Sequence, residues 1–254
     1  MRVTILGSGT SSGVPRIGND WGDCDPLEPK NRRRRVSVLV EHEGVTVVVD
    51  TGPDFREQML GADVRRLDAV LLTHDHADHT HGIDDLRQFF HLSGQPVPCY
   101  ASPATWAILS PRFSYIVAGT SGYPAIVTVN PMPVELVIGN LRITSFVQNH
   151  GNIDSLGFRF TSDNKAFAYS TDLKALPPAS EASLAGLDLW VVGALRHRPH
   201  PSHAHLGQTL EWIAQFLPKR AVLTHMDQSM DYALLVRTLP PDIEPGFDGL
   251  TIDV

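Results

Sequence analysis

Thr73-His74-Asp75-His76-Ala77-Asp78-His79 is the stretch on which the reading of this chain turns. Four potential metal ligands, His74, His76, Asp78 and His79, fall within six residues, directly after the apolar run Ala69–Leu72. A loop of this kind can wrap two adjacent cations. Neutral imidazole and carboxylate together suit zinc, manganese and iron, and a mixed nitrogen and oxygen set leaves positions open for water and substrate. The competing explanation is a solvated loop that happens to be rich in histidine. Three imidazoles in six residues make that improbable by composition alone.

Outward from this loop, the chain has 254 residues, with 21 Lys+Arg against 28 Asp+Glu and a formal net charge of −7. Hydrophobic residues make up 42%, which is globular rather than disordered or fibrous. The 12 histidines stand against only 2 cysteines, Cys24 and Cys99. Two cysteines build neither a disulfide framework nor a thiolate zinc site, so they are expected as unpaired thiols. The acidic balance disfavours binding to nucleic acid through an overall field. No secretory signal and no membrane-spanning run is apparent, and a cytoplasmic location is expected.

Short β-branched runs dominate the chain. Val3–Leu6, Val36–Val40, Val45–Val49, Ala69–Leu72, Leu141–Phe146, Gly157–Phe160, Ala166–Tyr169, Leu189–Val192 and Ala221–Thr224 read as strands. Several are continuously apolar, which suggests cover on both faces. Helices are expected at Asp54–Leu60, Ile83–Phe90, Leu206–Leu217 and Asp231–Thr238. In the third, Leu206, Leu210, Ile213 and Leu217 share one face. Three strands end in Thr and a potential ligand: Leu72-Thr73-His74, Ser170-Thr171-Asp172 and Leu223-Thr224-His225. Their repetition suggests strand ends that converge on one site, within sheets covered by outer helices. No linker divides the chain, so one domain over 1–254 is expected, with two pseudo-related halves meeting near 131–140.

The H-x-H-x-D-H motif resembles the signature of the metallo-β-lactamase superfamily, whose fold is a four-layer αββα sandwich of the α/β class. The further residues that the resemblance calls for appear in order: His150 in SFVQNHG, Asp172 in AYSTDL and His225 in VLTHMD. By resemblance, His74, His76 and His150 hold one divalent metal, and Asp78, His79 and His225 hold the other. Asp172 bridges them. Zinc or manganese, or else iron, is the implied pair. Two dications at that spacing acidify a water molecule and clamp a phosphoryl oxygen. Asp78 is then also a candidate for orienting the nucleophile.

LGSGTSSGVPRIG, PKNRRRRVSVLVE, VDTGPDFREQML and THMDQSMDY resemble the PhnP-like cyclic phosphodiesterase branch and, more distantly, tRNase Z. That branch carries a Cys-rich insertion near 20–30 that holds a structural zinc. Here a single Cys24 stands in that stretch, so no structural zinc is expected. His203, in RHRPHPSHAHLG, aligns with a histidine that protonates the leaving alkoxide. A group opposite the attacking water suits that role. His197, His200 and His205 are expected to be incidental.

Other residues carry smaller expectations. Gly7, Gly9 and Gly13 miss the dinucleotide fingerprint and read as a tight turn near the site. Asp50 reads equally as an outer partner of a ligating histidine or as a turn residue. Within Arg32, Arg33, Arg34 and Arg35, at least half are expected to form a solvated strand edge, while one or two could meet a substrate phosphate. Asp84 or Asp85 reads as a helix cap. The aromatics of Ala104–Tyr123 read as a homodimer surface, a lid or core packing.

The function expected is hydrolysis of a small, cyclic ribose phosphodiester. The alternatives are another hydrolase on the same site (a tRNA 3′-processing nuclease, lactonase or thioesterase) and a non-catalytic metal-binding accessory protein. Neither a long basic arm nor a positive charge balance supports a polymeric nucleic-acid substrate.

Overall fold

Continuous apolar strands need cover on both faces, and the architecture supplies it. A computed structural model describes residues 1–254. The first half contributes β1 (Arg2–Gly7), β2 (Ser37–His42), β3 (Val45–Val49), β4 (Ala69–Leu71), β5 (Val97–Ala101) and β6 (Val127–Pro131). The second contributes β7 (Glu135–Ile138), β8 (Leu141–His150), β9 (Ile153–Ser162), β10 (Lys165–Ser170), β11 (Leu189–Gly193), β12 (Ala221–Thr224), β13 (Ile243–Pro245) and β14 (Thr251–Asp253). Two seven-stranded sheets result, ordered β14-β1-β2-β3-β4-β5-β6 and β13-β12-β11-β10-β9-β8-β7. The last strand therefore crosses back to edge the first sheet.

Strand periodicity explains the layering. Val47 and Val49 of β3 face a core between the sheets with Leu71, Phe158, Phe160, Phe167 and Val191. Val48, one residue out of phase, faces the opposite side with Val70. There it meets α1 (Phe55–Gly61), α3 (Leu86–Ser93) and α4 (Pro103–Arg112) through Phe55, Met59, Leu86, Trp106 and Leu109. α2 (Ala77–Thr80) and α5 (Ser114–Val117) are single turns in the same half of the chain. On the second sheet, Trp190 and Val192 pack with Ile213 and Leu235. Those two belong to α7 (Leu206–Phe216) and α8 (Tyr232–Thr238), and the turn α6 (Pro178–Glu181) lies between β10 and β11. The four-layer αββα sandwich is thus formed.

Several sequence expectations need correction in detail. Ile83–Phe90 is two elements, a tight turn over Ile83–Asp85 followed by α3. Asp85 precedes α3 without a capping hydrogen bond, and Asp84 instead accepts from Arg87 at 2.8 Å. The apolar face of α7 ends early: Leu217 adopts a left-handed conformation (φ 49°) and is 76% exposed. Trp106, Leu109 and Ile116 are core residues, whereas Tyr115 and Tyr123 are exposed, so Ala104–Tyr123 divides between packing and surface. Five strands escaped prediction: β5 and β6 carry Pro98 and Pro131, which weaken a strand pattern, and the edge strands β7, β13 and β14 are short and half-exposed. No helix is long and apolar enough to cross a membrane.

The arginine run is not a solvated edge. Arg33 is buried; it donates to the Met230 carbonyl at 2.6 Å and to the Asp227 carbonyl at 3.3 Å. Its guanidinium also lies 3.7 Å from the Cys24 sulfur. Arg34 pairs with Asp248 and Arg35 with Asp54, both at 3.1 Å. Only Arg32 is exposed, stacked on Trp21. Local partners distributed through the fold claim three of the four. Cys24 and Cys99 are both free and buried, and burial pushes both thiols up.

Candidate metal centre

Strand ends build the site. β4 runs into His74, β8 ends at His150, β10 is followed by Asp172 and β12 by His225. The chain beyond β4 carries His76 and then forms the single turn α2, which presents Asp78 and His79. On the other flank, Ser8 and Thr10 bond the backbone of Met226, at 2.9 and 3.2 Å. That approach depends on Gly7 and Gly9, where a Cβ would stand 2.0 Å from the Arg35 carbonyl and 2.9 Å from Arg33. The expected glycine turn is therefore real, and it packs the N-terminal loop beside His225.

All seven sequence-predicted ligands meet. His74, His76, His150 and Asp172 form one group, and Asp78, His79, Asp172 and His225 a second; within each, the candidate atoms lie within 4.8 Å of one another. Asp172 belongs to both. Its Oδ2 is 3.4 Å from His150 Nε2 and 3.8 Å from His74 Nε2. Its Oδ1 is 3.2 Å from the Nε2 atoms of both His79 and His225.

Whether these groups suit a cation can be judged from the donors themselves. His74 Nε2, His79 Nε2 and His225 Nε2 are buried and have no hydrogen-bond partner. Orphaned buried nitrogens are costly unless something else satisfies them. Tetrahedral ligands about 2.1 Å from zinc stand about 3.4 Å apart, and the spacings around Asp172 fall near that value. The residues fit two divalent cations.

Neighbouring groups fix which nitrogen each ring presents. His79 Nδ1–H donates to Asp50 Oδ2 at 2.6 Å. His74 Nδ1–H donates to Thr73 Oγ1 at 2.9 Å, and that hydroxyl donates in turn to Asp50 at 2.9 Å. His150 Nδ1–H donates to the Ser202 carbonyl at 2.8 Å. Three rings therefore turn Nε2 inward, whereas His76 places Nδ1 3.3 Å from His150 Nε2. Asp50 is the outer partner of two rings rather than a turn residue. Sequence reasoning singled out Asp50 but gave Thr73 no role beyond its repeated place at strand ends.

Electrostatics follow the same layout. Burial acts to raise the Asp172 carboxyl, but the His225 and His79 imidazoles hold it well below the usual range. Burial likewise acts against protonated His79, yet Asp172, Asp78 and Asp50 hold its pKa well above normal. Asp50 and His225 both adopt left-handed backbone (φ 65° and 57°), the kind of strain that gathers at functional sites.

His203 stands beside the centre. Its Nδ1 is 3.7 Å from Asp172 Oδ2, and its ring stacks on His225 with centroids 4.9 Å apart. Burial and the His225 charge lower its pKa to about 3. His200 lies next to it, at 4.9 Å between centroids, while His197 is exposed and His205 precedes α7.

A two-sheet sandwich with a shared carboxylate between two His/Asp groups places the chain in a superfamily. Residues 45–226 match the family described as the β-lactamase superfamily domain, and the chain belongs to it. Among solved structures it resembles a diphosphatase from the PhnP family at 36% identity and a TM-score of 0.91, covering 100% of this chain and 97% of that one. It is also 33% identical to an octanoyltransferase of Porphyromonas gingivalis, over 98% of this chain and 51% of the relative. A ribonuclease Z of a Bradyrhizobium species is 32% identical, over 58% of this chain and 51% of the relative. The chain spans about half the length of the curated relatives it matches.

Proposed function

We propose that this chain is a dinuclear metal-dependent phosphodiesterase acting on a small ribose phosphodiester of the cyclic type, within one catalytic unit of two half-sandwiches. The observation that carries the reading is Asp172, whose two oxygens face separate His/Asp groups. His74, His76 and His150 would hold one cation and Asp78, His79 and His225 the other, with Asp172 between them. When bound, zinc, manganese or iron ions would supply an acidified water and a charge clamp for phosphoryl oxygens.

The chain's own residues do the rest. Asp50 and Thr73 lock the ring orientations, and Asp78 orients the attacking water. His203 protonates the leaving oxygen, because it faces the same carboxylate from another side. In the free protein its low pKa leaves it neutral at pH 7. An anionic phosphate bound beside it favours the imidazolium. The net charge of −7 suits a small anion held by cations better than a nucleic-acid polymer. A cytoplasmic setting belongs to the same reading.

A second reading, cleavage of a diphosphate P–O–P bond, is favoured by the 36% identity to a PhnP-family diphosphatase. One panel tests both. Metal-loaded protein is offered ribose 1,2-cyclic phosphates, 2′,3′-cyclic nucleotides, a nucleoside diphosphate sugar, a lactone and an acyl thioester, alongside Asp172→Ala and His76→Ala. Turnover of a cyclic diester, lost together with bound metal in both variants, is expected. Turnover confined to the diphosphate selects the second reading, and turnover confined to the lactone or thioester overturns both.

A further inference from the structure

A buried hydrogen-bond chain behind the centre joins the strand that carries His150 to Asp172, the residue shared by both ligand groups. Gln148 and Ser155 face each other across β8 and β9, and Gln148 lies two residues before His150, on the same face of β8. Ser155 Oγ–H donates to the Asp172 carbonyl at 2.6 Å. That hydroxyl has a single hydrogen, so in its 3.2 Å contact with Gln148 Nε2 the amide is the donor. At the far end, Asp172 Oδ2 and His150 Nε2 stand 3.4 Å apart. Gln148, Ser155 and Asp172 are each at most 2% exposed.

The neighbouring residues make room for this chain. Gly157 shares a face of β9 with Ser155, and a Cβ there would stand 2.7 Å from Gln148 Oε1 and 2.4 Å from the Phe146 ring. Gln148 Oε1 is itself buried without a hydrogen-bond partner, a cost that a methionine of similar volume would not carry. Fold stability alone therefore gives little reason for an amide at this position. Thr171 Oγ1–H donates to Asp172 Oδ1 at 3.0 Å, so hydrogen bonds hold both the main chain and the carboxylate of Asp172. The next residue of β9, Leu156, donates its N–H to the Thr73 carbonyl at 2.9 Å, directly before His74. Ser155 and Leu156 thus tie Asp172, at the end of a strand in one sheet, to the chain that leads from the other sheet into His74.

We propose that Ser155 and Gln148 are positioning residues that set the Asp172 carboxylate between the two cations. Ser155 fixes the peptide from which that carboxylate projects, and Gln148 fixes the direction in which the Ser155 hydrogen points. A main chain free to rotate at residue 172 would spread Oδ1 and Oδ2 over several positions, and a carboxylate shared by two cations tolerates little such spread. Both roles rest on the dinuclear reading and hold whichever phosphodiester is the substrate.

The test is a manganese(II) titration of the metal-free wild type, Ser155→Ala and Gln148→Met, read by chelator competition and by electron paramagnetic resonance. Two manganese ions that share a carboxylate give an exchange-coupled signal, whereas separate ions give the pattern of isolated manganese. The wild type should bind two ions and show the coupled signal. Ser155→Ala should weaken binding about tenfold and shift the signal toward the isolated pattern. Gln148→Met should act in the same direction, about threefold. The urea midpoint of metal-free Gln148→Met should nevertheless stay level or rise, because the orphaned oxygen is gone. A merely structural role would lower that midpoint, or leave affinity and coupling at their wild-type values, and either result overturns the positioning role. A wild type that binds two ions without coupling also overturns it. A wild type that binds no pair overturns the dinuclear reading, and the positioning role with it.

Discussion

Asp50 accepts a hydrogen bond from His79 Nδ1 at 2.6 Å, with both side chains fully buried. The same carboxylate accepts from the Thr73 backbone and, through the Thr73 hydroxyl, orients His74. One residue that contacts neither proposed cation thus sets one ring in each of the two groups. Asp50→Asn keeps the shape but replaces the charge that holds both rings. Metal affinity, measured by chelator competition, should fall about 10- to 100-fold. An unchanged affinity would return Asp50 to a purely structural role.

His203→Gln separates proton transfer from metal binding. His203 touches Asp172 only at 3.7 Å and belongs to neither ligand group. The metal content should stay that of the wild type while kcat drops by about 10²–10⁴ on a substrate with a poor leaving group. A substrate whose leaving group needs no proton should recover most of that loss. Equal losses on both substrates would count against the acid role.

Gly52 controls how closely the chain after β3 approaches the metal loop. A Cβ there would stand 2.2 Å from the Asp78 carbonyl, a backbone atom that cannot swing aside. Gly52→Ala should therefore cost about 1–3 kcal/mol in urea unfolding. It should also weaken metal binding, because Asp78 and His79 must move with the displaced backbone.

Asp231 ties the N-terminal loop to α8. It accepts from Leu234 N–H at 2.8 Å, from Asn31 Nδ2 at 2.7 Å and from Asp25 N–H at 3.1 Å. Burial works against the ionised carboxyl, but those hydrogen bonds win and hold its pKa below normal. A depressed folded-state pKa gives stability that is present above the unfolded value, about 3.9, and is lost as pH falls through the folded one. Asp231→Asn keeps the bond from Leu234 but turns the oxygen that accepts from Asn31 and Asp25 into a donor, and should cost about 1 kcal/mol at pH 7. The gap in melting temperature between wild type and variant should close as the pH is lowered below about 4; a gap constant with pH would show that the charge does not matter.

Much of this was legible from local pattern. The apolar runs located nine strands, because β-branched residues covered on both faces leave a continuous signal. His74, His76, Asp78 and His79 announced themselves by spacing. His150, Asp172 and His225 emerged only as an ordered set, since a single histidine after a strand is ordinary. The short edge strands β13 and β14 left no such trace, because three half-exposed residues carry almost no period.

The sequence by itself determined which residues could ligate and that strand ends would present them, since ligand type and strand periodicity are local properties. Only the tertiary structure decided that Arg33 is buried beside Cys24 and that Asp50 serves two rings, one directly and one through Thr73. Each depends on which residues from distant segments share a few ångströms, and hydrogen bonds and charge pairing act only over that range. Residue type declares what a side chain can do, while the fold chooses which of its capacities is left free.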